Sequence, residues 1–245
     1  MKKQRLDLLL SERYPQYSRR QLQSWIMQGK VTVDDMVVTK AGMLITEGAV
    51  VKIVIEEPKY VSRAGFKLEK ALDHFNINVK DLVVLDSGIS TGGFTDCLLQ
   101  YGARKVYGVD VGYGQVHENI RSDERVILLE RTNLRRLTVQ DIDELVDLVT
   151  LDLSFISVLK VMDAVVNVLK KNGELVVLIK PQFEAGKHEV ERGGIVRNPK
   201  VHQKVIEHIT HGIEQYGFET VGVIESPIEG ATGNKEFLAY FKRIK

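Results

Sequence analysis

The chain has 245 residues, of which 44% are hydrophobic and 27% charged, as expected of a soluble globular protein with one large and one small domain. Its single cysteine, Cys97, excludes an internal disulfide and an all-cysteine metal site. No apolar run approaches the ~20 residues of a membrane-spanning helix, and Asp7 and Glu12 interrupt the apolar stretch that a signal peptide would need. We therefore expect a cytoplasmic protein without stable membrane association.

Charge is unevenly distributed along the chain, although the net charge is only +1. Residues 1–55 hold nine Lys/Arg and five Asp/Glu, a net charge of +4, and the remainder carries −3. A basic small module beside an acidic larger one suggests docking on nucleic acid by the small one. By itself, this excess of charge favours the simpler interpretation of an ordinary solvated surface.

Residues 1–57 predict two helices followed by short strands. Leucines at 6, 9 and 10 recur at helical spacing, and Ser18 is a candidate N-cap for a helix over 19–28 that ends before Gly29. On that helix, Arg19, Arg20 and Gln23 should point away from the apolar face. Strands are expected at 31–33, 36–38 and 49–55, with a tight hairpin at 34–35 and a linker at 56–59.

Four segments of this module resemble an S4 RNA-binding domain: LDLLL (6–10), SRRQL (18–22), IMQGKVTV (26–33) and GAVVKI (48–53). In that family the second helix and the following turn face structured RNA. The resemblance therefore implies a small α+β S4 domain over 1–57, with a second domain over 58–245. The candidate RNA-binding residues are Arg5, Arg19, Arg20, Lys30 and Arg63.

The most informative segment of the larger module is VVLDSGISTGGFTD (83–96), an apolar run that ends in an acid, turns through glycines and enters a predicted helix. A glycine turn at a helix start lets a nucleotide cofactor approach the backbone. Asp110 ends the next predicted strand, about 20 residues past the turn, where such folds bind ribose hydroxyls. The candidate cofactor residues are Asp86, Gly88, Ser90, Gly92, Gly93, Phe94, Asp110, Asn133 and Asp152.

Strands and helices alternate through this module, which predicts an α/β, mostly parallel sheet covered on both faces. Strands are expected at 83–85, 106–109, 126–129, 148–151, 175–179, 220–224 and 237–241, and helices over 158–169 and 201–216. The last connection is too short for a covering helix, so the final strand should run antiparallel. This pattern resembles the seven-stranded, Rossmann-like fold of S-adenosylmethionine-dependent methyltransferases.

Four charged residues should meet at the carboxyl edge of this sheet. Asp152 and Lys180 follow the fourth and fifth strands, Glu236 opens the antiparallel last strand, and Lys67 lies on the helix before the first strand. Taken singly, each suits a plain ion pair. Their order, lysine–aspartate–lysine–glutamate, resembles the FtsJ-like RNA 2′-O-methyltransferases.

The surrounding segments resemble the TlyA family, which joins an S4 domain to an FtsJ-like methyltransferase and has an older name, haemolysin: RAGFK (63–67), STGGFTD (90–96), VDVGYGQ (109–115), DLSFIS (152–157), KPQFE (180–184) and GNKEF (233–237). The resemblance implies S-adenosylmethionine as cofactor and ribosomal RNA, in ribosomal subunits, as substrate, with 2′-O-methylation of cytidine. It further implies that Lys180 is the base, that Asp152 and Glu236 orient it, and that Lys67 positions the ribose hydroxyl. A lysine serves as a base only where its surroundings lower its pKa.

Two other functions stay open at this point. One is a membrane-active haemolysin, against which the lack of a spanning or strongly amphipathic basic helix argues. The other is a catalytically silent RNA-binding protein of ribosome assembly, against which the intact set of four charged residues argues. Cytosine C5 chemistry is disfavoured because Cys97 lies inside a predicted helix, and the histidines show no metal pattern. Residues 183–199 predict a mobile loop over the site, either a lid or plain disorder.

Overall fold

The computed structural model describes residues 3–46, 48–54 and 58–244, and it divides into two compact units, Met1–Pro58 and Lys59–Lys245. We call them the small unit and the large unit, and each is described by itself. Residues 55–57, which contain the end of the last strand expected in the small unit and half of the expected linker, lie outside the described residues.

The small unit combines two helices with two small antiparallel sheets, in which β1 pairs with β4 and β2 lies between β3 and β5. Ser18 and Gln21 cap α2 reciprocally, as the N-cap prediction required. Asp34 and Asp35, with φ of 50° and 62°, form the expected hairpin turn. Strand β1 was not predicted. The elements are β1 Lys3–Arg5, α1 Leu6–Arg13, α2 Arg19–Met27, β2 Val31–Val33, β3 Met36–Val37, β4 Leu44–Thr46 and β5 Val51–Ile53.

The large unit is a single seven-stranded sheet with helices packed on both of its faces. Its helices are α3 Ala64–Phe75, α4 Gly93–Gln100, α5 Glu118–Arg121, α6 Met162–Val168, α7 Pro181–Glu184 and α8 Pro199–Glu214. Its strands are β6 Val83–Ser87, β7 Lys105–Val109, β8 Val126–Leu129, β9 Val146–Leu151, β10 Leu169–Ile179, β11 Phe218–Glu225 and β12 Phe237–Arg243.

The strand order is β11-β12-β10-β9-β6-β7-β8, and β12 runs antiparallel to both of its neighbours. The prediction of a mostly parallel sheet with an antiparallel last strand is therefore confirmed. Neighbouring residues of β6 pack into different hydrophobic clusters, Leu85 into one and Val84 into the other, and both are fully buried. Both faces of the sheet are thus covered, which explains why its strands read as continuous apolar runs.

Several boundaries differ by a few residues from the sequence-based expectation, and two of the differences change how a segment is interpreted. Strand β6 continues two residues beyond the expected end, to Ser87, so Asp86 lies inside the strand. The helix expected over 158–169 is a 3-10 turn, Val158–Val161, followed by α6, because the chain already joins β10 at Leu169. None of the helices in the described part of the chain combines the length and hydropathy that crossing a bilayer requires.

Candidate active site

A cavity of about 480 Å³ lies where the parallel strands β6, β7 and β9 end. Ligands of open α/β sheets bind at this edge, and the volume lies within the range of small-molecule sites. Its walls come from the segments that follow these strands and from residues 132–135, after β8. The expected cofactor residues that line it are Gly88, Ser90, Asp110, Asn133 and Asp152.

Gly88 is required by a close backbone approach at the floor of this cavity. Its φ is +87°, and a Cβ placed there would lie 2.4 Å from the carbonyl oxygen of Asp152. Only glycine accommodates both conditions. Gly92, with φ of +96°, begins α4, while Gly93 packs so closely on Ser62 that a Cβ would lie 2.2 Å from the serine oxygen.

Gly92, Gly93 and Phe94 shape the turn without lining the cavity. Phe94 is 3% exposed and belongs to the core beneath the turn. These residues were expected to contact a cofactor, and in the structure they support the residues that line the cavity. The shape of the turn therefore rests on packing as well as on open backbone.

The carboxylate of Asp110 is fixed on the wall of the cavity by two backbone donors. The N–H of Ser90 donates to one oxygen at 2.9 Å, and the N–H of Gly112 donates to the other at 2.7 Å. Charged acceptors held by backbone N–H groups keep one orientation at little entropic cost. Each oxygen retains a second lone pair that can accept a hydrogen bond from a ligand hydroxyl.

Asp86 was expected to end its strand and to contact the cofactor. In the structure it lies inside the strand, is fully buried and does not line the cavity. The hydroxyls of Thr95 and Thr150 donate to its two oxygens at 2.6 Å and 3.0 Å. Burial raises the pKa of this carboxyl to about 6, since desolvation penalises the charged form. Asp86 thus links the first turn of α4, through Thr95, to strand β9, through Thr150.

The first charged pair of the site joins Lys67 of α3 to Glu236, which directly precedes β12. The Nζ and Oε2 atoms lie 2.6 Å apart, and the side chains are 11% and 3% exposed. Gly230 packs against the same carboxylate, because a Cβ there would lie 2.5 Å from Oε1 of Glu236. The ion pair and the close packing of Gly230 therefore hold the Glu236 carboxylate in one position.

The second charged pair joins Lys180, which directly follows β10, to Asp152, which follows β9. Nζ lies 2.6 Å from Oδ1 of Asp152 and donates to the hydroxyl of Ser154 at 3.0 Å. The two ionised side chains are 12% and 17% exposed, so the pair is largely removed from solvent. Backbone hydrogen bonding from Asp152 to Ser87 at 3.0 Å ties the segment to the end of β6.

Strand register brings the two pairs to the same edge of the sheet. Ile179 of β10 and Phe237 of β12 are direct cross-strand partners, so Lys180 and Glu236 follow and precede paired residues. Strand β9 lies on the other side of β10, which places Asp152 next to Lys180. Two lysines and two acids thus meet at the rim, as the strand order predicted.

Two aromatic rings lie near Lys180, one of them exposed, and the sequence reasoning missed them. Phe155 has a φ of +65°, is 91% exposed and lines the cavity. Its ring centroid lies 5.0 Å from that of Phe183, and Nζ of Lys180 lies 6.0 Å from the Phe183 ring centre. Nothing in the local sequence signals that a phenylalanine here faces solvent, because a left-handed bend in the loop exposes it.

In the small unit, the basic residues expected to contact RNA are partly tied to a buried acid, Asp7. Arg5 and Arg19 form ion pairs with its carboxylate at 3.0 Å and 2.8 Å, and Gln23 donates to it at 2.8 Å. Arg19 and Gln23, which were expected to point away from the apolar face, thus each donate to a buried carboxylate, and Arg19 stays half exposed. Hydrogen bonds from Arg5 and Arg19 hold the pKa of Asp7 far below its usual range.

The other expected RNA-binding residues differ in exposure. Arg20 is exposed on α2, Lys30 is half-buried after that helix, and Arg63 is exposed at the start of α3. The two arginines that bind Asp7 retain side-chain exposures of 47% and 50%. Each of them therefore presents part of its guanidinium to solvent.

Cys97 lies buried within α4, and burial raises the pKa of its thiol to about 12. A thiol with this pKa is protonated at neutral pH and is a weak nucleophile. Its position fits a packing role.

Comparison with known proteins identifies both units. The model of the FtsJ-like methyltransferase family matches residues 60–243, and that of the S4 domain matches residues 4–51. The 16S/23S rRNA (cytidine-2′-O)-methyltransferase TlyA of Mycobacterium tuberculosis is 40% identical over 239 residues, which cover 97% of this chain and 89% of that protein. Hemolysin A of Brachyspira hyodysenteriae is 41% identical over 232 residues, 94% of this chain and 96% of that protein.

Solved structures agree with these matches. A Streptococcus thermophilus structure, described as a candidate hemolysin, is 40% identical with a TM-score of 0.76, and the match covers all of this chain and 90% of that one. An S-adenosylmethionine-dependent methyltransferase from Mesorhizobium loti shares the fold alone, at 17% identity and a TM-score of 0.51, over 71% of this chain and 96% of that one. The chain thus belongs to the TlyA family, in which an S4 domain precedes an FtsJ-like methyltransferase domain.

Proposed function

We propose that this enzyme uses S-adenosylmethionine to methylate the 2′-hydroxyl of a ribose, that of a cytidine, in the ribosomal RNA of ribosomal subunits. The observation that carries the proposal is the meeting of two shielded lysine–carboxylate pairs, Lys67–Glu236 and Lys180–Asp152, at the edge of the cavity. Relatives named as rRNA (cytidine-2′-O)-methyltransferases, from Mycobacterium tuberculosis and Campylobacter jejuni, support the choice of substrate. An rRNA substrate in turn implies work in the cytoplasm.

The cavity suits S-adenosylmethionine in shape and in the chemistry of its walls. Asp110 would accept hydrogen bonds from ribose hydroxyls, Gly88 leaves the backbone open to close approach, and Asn133 would face the adenine. Asp152 would lie toward the methionine end, next to the reacting edge. When bound, this group supplies an activated methyl on a sulfonium.

In this proposal Lys180 takes the proton of the ribose hydroxyl. A hydroxyl is a weak nucleophile until a base removes its proton, and a neutral lysine amine can accept one. Asp152 and the serine hydroxyl hold Nζ of Lys180 in place, while Lys67, itself fixed by Glu236, would donate to the ribose oxygens. Alignment of the hydroxyl with the methyl group would supply most of the acceleration.

RNA docking is assigned to the small unit and to the rim of the cavity. Arg5 and Arg19 are held by a buried carboxylate with part of each guanidinium in solvent, which suits binding to phosphates. At the cavity, the exposed ring of Phe155 offers a surface on which an unstacked base can lie. A base turned out of its helix would bring its ribose to the charged edge.

The test is methyl transfer from S-adenosylmethionine with a tritiated methyl group to ribosomal subunits purified from cells that lack this protein. We expect label in rRNA that resists alkaline hydrolysis at one linkage, because a 2′-O-methyl group removes the attacking hydroxyl. Lys180→Ala should abolish the labelling. Lys204→Ala, a matched change of an exposed lysine on α8 that pairs with Glu189, should not.

Three outcomes would contradict the proposal. Tritium found on a base would show that the enzyme methylates the base and not the ribose 2′-hydroxyl. Full labelling by Lys180→Ala would remove the charged edge from the reaction. Leakage of liposomes without any need for S-adenosylmethionine, and with no labelling of rRNA, would favour the membrane-active alternative.

Cofactor binding has its own test. Calorimetry with S-adenosylhomocysteine should detect binding to the wild type and a loss of most of the affinity in Asp110→Ala. Equal affinities would remove the ribose-binding role from Asp110.

A further inference from the structure

We propose that Ser154 is a positioning residue for Lys180: its hydroxyl takes one N–H of the neutral amine and so turns the amine lone pair toward the ribose hydroxyl. This inference rests on the proposed function, in which Lys180 accepts the proton. The contact that carries it is the 3.0 Å hydrogen bond from Nζ of Lys180 to the Ser154 hydroxyl, alongside the 2.6 Å contact to Asp152.

Counting donors on Nζ gives the physical reason. An ammonium has three N–H donors and no acceptor; one donor is on the Ser154 hydroxyl, and the carboxylate of Asp152 lies 2.6 Å from Nζ as an ion-pair partner without hydrogen-bond geometry. After one proton leaves, the amine keeps two N–H donors and gains one lone pair. One N–H stays on the Ser154 hydroxyl, and the negative charge of Asp152 repels the lone pair from its side, so the lone pair takes the third tetrahedral position.

Without the serine hydroxyl, Asp152 alone would fix one of these positions. The lone pair could then occupy either of the other two, and only one of them faces the substrate. Ser154 therefore excludes an unproductive direction of the Lys180 lone pair. Its contribution is to pre-organise the base, not to stabilise a charge.

The fold holds the Ser154 segment against the segment that carries Lys180. Phe155 packs on Phe183 of α7, and Glu184 of the same helix accepts a hydrogen bond from the Val158 N–H at 2.9 Å. Helix α7 directly follows Lys180. The hydroxyl and the amine thus belong to two segments joined by further contacts, so their distance is not set by one flexible side chain.

Ser154 is itself exposed, so the protein has little need of this hydroxyl for stability. Its removal leaves Lys180 its ion pair with Asp152, and Ser154→Ala should unfold close to the wild-type temperature. A loss of activity in this variant would then report on the base rather than on folding.

The experiment is single-turnover methyl transfer to ribosomal subunits across pH 6 to 9.5, with wild type, Ser154→Ala, Ser154→Thr and Lys180→Ala. Ser122→Ala serves as matched control, because that exposed hydroxyl bonds only to its own helix carbonyl. Ser154→Ala should lower the rate by about tenfold, the weight of one hydrogen bond, with an unchanged KM for the subunits.

Ser154→Thr, which keeps the hydroxyl, should restore the wild-type rate. A wild-type rate from Ser154→Ala would overturn the inference, and so would a rate that falls equally at every pH without rescue by threonine.

The two proposals fail in different ways. Inactive Lys180→Ala beside wild-type behaviour of Ser154→Ala would overturn the role of Ser154 alone. Normal activity from Lys180→Ala would overturn the base assignment and the role of Ser154 with it.

Discussion

Replacement of the buried Lys67–Glu236 pair should separate its contribution to stability from its contribution to catalysis. The two side chains are 11% and 3% exposed and their charged atoms lie 2.6 Å apart, so removal of either partner strands a charge in the interior. Lys67→Met or Glu236→Leu should each cost about 3–5 kcal/mol. For a unit of this size that corresponds to a fall of roughly 6–20 °C in Tm.

The double variant, Lys67→Met with Glu236→Leu, should be more stable than either single variant. With both charges gone, no uncompensated ion remains, and two apolar side chains can pack in the same space. Its methyl-transfer activity should nonetheless stay absent, since Lys67 is proposed to position the ribose hydroxyl. The double variant would therefore be a stable but inactive enzyme.

The assay is thermal unfolding of all three variants, followed by methyl transfer to ribosomal subunits. Lys235→Met is a matched control, because Lys235 and Glu225 form a pair that is 51% and 56% exposed in the same unit, and its Tm should not change measurably. Strictly additive losses in the double variant would refute the coupling of the two residues. Retained activity would refute the role of Lys67.

Three further predictions follow from the buried acids and the glycine turn. Asp86 has a pKa near 6 in the fold, above its ordinary 3.8, so the unfolded chain releases this proton first and the free energy of unfolding should fall as pH rises from about 4 to 6. Asp86→Asn should remove that fall, a gain of up to about 3 kcal/mol at neutral pH, measured by thermal unfolding. Parallel curves of stability against pH for the variant and the wild type would contradict this prediction. Gly88→Ala should abolish binding of S-adenosylhomocysteine in calorimetry because its Cβ would lie 2.4 Å from a carbonyl oxygen, whereas Gly114→Ala, with φ of +69° but open space, should bind normally. Asp7→Asn should weaken the affinity for ribosomal subunits in filter binding, because both arginines lose their anchor, and the exposed Asp35→Asn should not; equal affinities would place docking elsewhere.

The fold could be predicted from the sequence because its strands are buried on both faces and because the length of a connection limits whether it can contain a helix. Residues 227–234 leave no room for a helix between the last two strands, which correctly predicted an antiparallel β12. That single inference placed Glu236 on the same edge as Lys180. The structure agrees, because Ile179 of β10 pairs with Phe237 of β12. Topology therefore determined which charged residues meet.

Side-chain partners within that framework were not readable. Asp7 lies in the helical pattern LDLLL, and only the packing of α1 on α2 shows that it is buried and shared by two arginines. Strand β1 has three residues, too few for any periodicity to appear. Phe155 and Ser154 depend on a left-handed bend that no glycine marks.

The most direct test of the central claim is the single-turnover rate of methyl transfer to ribosomal subunits by Lys180→Arg, measured beside Lys180→Ala. If Lys180 accepts the proton of the ribose hydroxyl, arginine should be almost as inactive as alanine, because a guanidinium keeps its proton at any working pH. The fold and the affinity for subunits should be unchanged in both variants. A near-normal rate from Lys180→Arg would contradict the account, since a charge that only orients its neighbours could then do all that Lys180 does.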